Sequence, residues 1–117
     1  MPSAMLLEAE SASFYTDAKR AIPMLEEAID RDPNFVLAYC ELARLHDELY
    51  FRRNVAPEER SNDHLSRAEA ALEKARRLQP DSGAVHLALA RHALQISNNV
   101  EEGAIQIQLA RKALPNN

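Results

Sequence analysis

The sequence predicts an all-α fold, a solenoid of stacked helix–turn–helix repeats with six helices in three antiparallel pairs. Two observations carry that expectation. The first is a recurring spacing: Ala21-x6-Ala28-x4-Pro33, Ala68-x6-Ala75-x4-Pro80 and Gly103-x6-Ala110-x4-Pro115 share one register. Self-similarity at a fixed interval is the mark of a repeat architecture and must be read before local propensity. The second is composition. Hydrophobic residues make up 46% and aromatics 5%, with only 2 glycines, a mixture poor in the glycine turns and aromatic strands of β-rich folds. Ala, Leu, Glu, Arg and Gln, all good helix formers, dominate instead.

The 117 residues suit one domain with a modest core. Helices are expected at approximately 3–14, 17–31, 35–52, 62–78, 83–96 and 100–114. Each terminal proline ends one helix and forces a tight turn into the next. Asn34 after Pro33, and Asp81 or Ser82 after Pro80, are the expected N-caps. In the third helix Leu37, Cys40/Glu41, Ala43/Arg44 and Asp47/Glu48 share one side, while Phe35, Tyr39, Leu42, Leu45 and Leu49 share another. Pro23 falls inside the second helix, where it removes one backbone hydrogen bond. The interval from Pro33 to Pro80 exceeds that from Pro80 to Pro115, and the surplus lies near 50–61. There Pro57 and the charged residues around it read as a solvent-facing loop.

These residues resemble the tetratricopeptide repeat, a helix–turn–helix unit of roughly 34 residues. The resemblance covers nearly the whole chain, as repeats at approximately 2–34, 35–81 (with the insertion near 50–61) and 82–115. Tyr39, Leu42 and Ala43 stand where that family places an aromatic, a Leu and a small residue on its first helix. Ala68, Leu72, Ala75 and Pro80 follow its second-helix pattern. Leu89, Ala90, Gly103, Ile107, Ala110 and Pro115 repeat both. The first unit supplies Ala9, Ala21, Leu25, Ala28 and Pro33, with Glu8 where Leu is usual. The resemblance implies a right-handed solenoid whose first helices line a concave groove for an extended peptide or a partner helix. It also implies a non-enzymatic protein-binding scaffold, attached to or expressed beside a bacterial signalling or regulatory protein. Groove residues would be Leu37, Cys40, Glu41, Arg44, Asp47 and Glu48 from the second unit, and Ala84, Leu87, Ala88, Arg91, Leu94 and Gln95 from the third. Leu6, Glu10 and Ser13 would join from the first. Members that clamp acidic chaperone C-termini use Lys, Asn and Arg, where this chain has Leu6, Glu10, Glu41, Ala84 and Ala88. That activity is not expected.

The chain's formal charge of −4 supplies no basic field, so neither nucleic acid nor an anionic membrane is an expected partner. One cysteine, Cys40, rules out an internal disulfide and fits a cytoplasmic protein. The start lacks the basic region of a signal peptide, and no apolar run approaches the roughly 20 residues of a membrane span. No metal, cofactor or catalytic constellation is expected. Zinc ligands on a helix stand three or four apart, whereas His86 and His92 do not, and His46 and His64 lie on different elements. Cys40 reads either as a reactive thiol or as a small apolar filler. Glu27/Arg31 and Glu73/Arg77 are i,i+4 surface pairs.

A solenoid end needs a polar face or a covering helix. The last helix offers more apolar residues than one neighbour covers: Ile105, Ile107, Leu109 and Leu114. The alternative function is therefore assembly, with that face docking onto a second copy of the chain or onto further repeats of a longer one.

Overall fold

The computed structural model describes residues 4–52 and 63–114, with side chains from residue 14 onward. Five helices account for nearly all of them: α1 (Ala4–Arg31), α2 (Val36–Phe51), α3 (Asp63–Leu78), α4 (Gly83–Gln95) and α5 (Val100–Ala113). No strand occurs among the described residues. The insertion expected near 50–61 falls mostly outside them, as does Pro115.

The first two expected helices are one. No glycine or proline stands between Phe14 and Asp17 to stop the chain, and an unbroken stripe of Tyr15, Ala18, Ile22 and Leu25 lies against Leu45 and Leu49 of α2. A helix whose apolar stripe is continuously covered has no reason to end. Pro23 is accommodated inside α1. Pro23 brings no N–H to the helix ladder, and it lies on the exposed side of α1, where the backbone is open to water.

The turn into α2 also differs from expectation. Phe35, not Asn34, is the N-cap, and it makes no side-chain capping bond. Asn34 instead donates its backbone N–H to Asp32 Oδ1 at 3.1 Å. Tyr39 then pins the turn by donating its hydroxyl to the Pro33 carbonyl at 2.9 Å. The later turns follow standard capping. Ser82 Oγ accepts from Val85 N–H at 3.3 Å, and Asn99 Oδ1 from Glu102 N–H at 3.1 Å. Asn98 takes a left-handed conformation (φ 52°), which Asn tolerates better than most residues.

Helix directions follow from which residues meet. Tyr15 reaches the Arg52 carbonyl (2.6 Å) while Ile22 packs beside Leu45 and Leu49, so α1 and α2 are antiparallel. His46 meets His64 at one end of α2 and Val36 clusters with Ala75 at the other, so α3 reverses again. Leu114 lies over Gly83 and Leu94 over Gly103, which makes α5 antiparallel to α4. Alternation leaves α2 and α4 parallel and adjacent: Asp47 bonds His92 and Glu48 bonds Gln95.

Small residues set these approaches. Ala43, Ala68 and Ala75 have no exposed surface, and Ala90 and Ala110 are buried. Val36, Ala75 and Val85 form the seam where α2, α3 and α4 meet. A Cβ on Gly103 would overlap the Leu94 side chain, so α5 approaches α4 closely only because that position lacks one.

Candidate partner-binding groove

The parallel pair α2 and α4 presents one common face. On α2, residues 37, 41, 44 and 48 fall on one side, and on α4 residues 84, 87, 91 and 95 do the same, because steps of three and four residues bring side chains above one another. Leu37 is 60% exposed and Leu87 48%, unusual for large apolar side chains flanking a core. Ala84, Cys40, Glu41, Arg44, Glu48, Arg91 and Gln95 are half-buried beside them.

The polar groups of this face are tied together. Arg44 donates its Nε to both Glu41 oxygens at 3.0 and 3.1 Å, which holds the Glu41 carboxyl below its usual range. Glu48 accepts from Gln95 Nε2 at 2.6 Å across the groove and from Arg52 Nε at 3.2 Å along its own helix. Arg91 is half-buried among Cys40, Glu41, Arg44 and Asp47. Burial lowers its pKa, opposed mainly by Asp47. The Cys40 thiol is pushed up by burial against the lowering field of Arg91, so it stays protonated and packs with Val36 and Ala43 as a filler.

Two expected groove residues lie elsewhere. Asp47 is wholly buried beneath the groove, both carboxylate oxygens 2.9 Å from His92 Nδ1. Ala88 belongs to the core. Leu94 is 41% exposed, and its branched end lies over Gly103 of α5. Leu6, Glu10 and Ser13 lie outside the described side chains.

Sequence spacing within single helices hid the histidine contacts, which all cross between helices. His92 Nδ1 bonds Asp47, and its Nε2 lies 3.9 Å from Glu69 of α3, so one ring joins three helices; the Asp47 bond raises its pKa. His86 Nδ1 meets Gln106 Oε1 at 2.7 Å, tying α4 to α5. His46 and His64, which lie on different helices, face each other with Nδ1 atoms 3.0 Å apart. Burial, then the nearby His64 and Arg67, lowers the His46 pKa to about 4. This pair lines an open cleft of ≈ 280 Å³ between α1, α2 and α3, with Ile22, Leu49 and Asp63. Among the described residues no group of three or more His, Cys, Asp or Glu side chains could hold a metal ion.

A usable signal for the groove contacts was present. Asp47–His92 and Glu48–Gln95 are separated by 45 and 47 residues, close to the interval between Pro33 and Pro80. Because α2 and α4 run parallel and adjacent, each residue of one lies beside a residue about one such interval along in the other.

No protein-family model, curated protein or solved structure matches this chain.

At the far end, Ile105 and Leu109 are exposed on α5, Ile107 is half-buried, and Leu114 is turned inward onto Gly83. Among the described residues no helix is long and apolar enough to cross a membrane.

Proposed function

We propose that the chain is a protein-interaction module of tetratricopeptide-like repeats, its helices stacked as a right-handed solenoid with α2 and α4 forming the floor of the binding groove. It captures a peptide or helix of another protein and acts by binding rather than catalysis. The observation that carries this reading is the pair of exposed leucines, Leu37 and Leu87, on neighbouring parallel helices, where large apolar side chains facing water gain by being covered. The histidines support the non-enzymatic part, since each is engaged with another helix in a contact that ties the bundle. The test is capture of partners from source cells by the tagged chain, compared with a Leu37→Asp/Leu87→Asp double variant of unchanged thermal unfolding. Loss of the captured protein in the variant is expected, and equal capture would remove the groove from consideration.

A second reading places the function in assembly through α5, favoured by Ile105 at 54% exposed with Leu109 one turn on. An oligomer in light scattering that Ile105→Glu dissociates, with groove binding intact, would establish it. A monomer at high concentration would end it.

A further inference from the structure

Arg91 carries an unmet requirement. Its Nε and Nη2 are both shut off from solvent and have no hydrogen-bond partner among the described residues. A guanidinium N–H removed from water and left unpaired is unfavourable, and native structures rarely keep one without a use. The carboxylates that act on it are already engaged: Glu41 by Arg44 and Asp47 by His92. The two orphaned groups are also not any two. Nε–H and an Nη2–H lie parallel along one edge of the guanidinium plane, the fork that receives both oxygens of a carboxylate side-on.

Resting on the groove reading above, we propose that Arg91 is the anchor for a single carboxylate side chain, an Asp or Glu, carried by the protein segment that covers Leu37 and Leu87. Leu87 stands one helical turn before Arg91, about 6 Å along the groove. The matching segment therefore presents an apolar side chain and a carboxylate at that distance, as residues four apart on a helix do. One carboxylate is specified, not an acidic tract, because Glu41 and Glu48 line the same groove, Asp47 lies just beneath it, and the chain carries a formal charge of −4. The same carboxylates disfavour a doubly charged phosphate. In this structure the fork lies folded among its neighbours. The long side chain turns outward to meet the ligand, and the donors left unpaired in the folded position make that turn less costly.

The experiment uses an array of amphipathic helical peptides with Leu and Glu four residues apart, beside copies carrying Gln or Lys for Glu and copies with free or amidated C-termini. The expected result is at least ten-fold preference for Glu over Gln regardless of C-terminal blocking, abolished by Arg91→Gln. A preference that follows the free C-terminus would overturn the side-chain assignment. Binding lost in Leu37→Asp/Leu87→Asp but indifferent to Glu or to Arg91→Gln would overturn the anchor and leave the groove standing. Absence of binding to any peptide, or binding insensitive to all these variants, would overturn both. A second readout needs no peptide. Arg91→Met, which removes the orphaned donors, is expected to unfold at the same or a higher temperature. A clear fall in Tm would mean that Arg91 is a structural partner of Asp47, and would overturn the proposal.

Discussion

His46 and Asp47 are adjacent on α2 and almost equally buried, yet the two sides of that helix treat a histidine in opposite ways. Toward α1 and α3, His46 meets a second imidazole and the Arg67 cation, and burial strips it of water, so the neutral ring is favoured. Toward α4, Asp47 presents a buried carboxylate to His92, and the imidazolium is favoured. Burial by itself disfavours charge on both sides. What differs is the partner each neighbouring helix supplies, and in the second case the carboxylate outweighs desolvation. The first side sets two imidazoles together beside an open cleft, and the second joins an imidazole to a buried carboxylate.

The largest expected effect comes from breaking the second of these contacts. His92→Ala strands the fully buried Asp47 carboxylate without its partner, and should cost about 3–5 kcal/mol in denaturant unfolding, the range for removing one member of a buried ion pair. A loss below about 1 kcal/mol would mean that water reaches Asp47.

The pH dependence of stability separates the two sides next. The unfolded chain takes up a proton at His46 as pH falls through 6.5, whereas the native chain does so only near 4. Stability should therefore fall between pH 6.5 and 4, by on the order of 3 kcal/mol. His92 works the other way. Its folded pKa is raised above 6.5, so its contribution is fully present below pH 6.5 and is lost as pH rises through the folded pKa. Urea titrations across pH should show His46→Gln flattening the acid limb alone and His92→Ala the alkaline limb alone. Both limbs surviving both substitutions would refute the contrast.

Ala75 offers a control at the seam of α2, α3 and α4, away from both rings. Ala75→Leu overpacks a contact with no exposed surface, and should cost about 1–3 kcal/mol without changing the shape of either limb. Smallest of all is Glu73→Gln. Its bonds to Arg76 and Arg77 (2.6 and 3.0 Å) sit on the solvated side of α3, so no resolvable change in Tm is expected.

Much of the framework was legible in the chain. Alanine spacing located the close approaches at Ala43, Ala68, Ala75 and Ala110, and Pro33 and Pro80 marked the ends of α1 and α3. Ser82 and the surface pairs Glu27–Arg31 and Glu73–Arg77 followed from local rules that need no tertiary partner. Helical spacing puts Leu87 and Arg91 on one face of α4, while their assignment with Leu37 to a partner-binding groove rested on the repeat resemblance.

The failures share a cause. A break near residue 15 was expected from the repeat pattern, but an apolar stripe with cover on α2 runs straight through it. Asp47 was expected in the groove from its helical phase, yet a small rotation about the helix axis decides whether such a side chain meets water or the neighbouring helix.

The sequence by itself determined that the chain is helical, where most helices start and stop, and which positions are too narrow for anything but Ala or Gly. Those depend on contacts within a few residues. Only the tertiary structure decided that the pKa of His46 is lowered and that of His92 raised, that burial pushes the Cys40 thiol up, and that Arg91 Nε and Nη2 find no acceptor among the described residues. Charge state and hydrogen-bond satisfaction are set by the nearest atoms of other helices, tens of residues away along the chain, in a medium where a shift of an ångström or two exchanges water for protein.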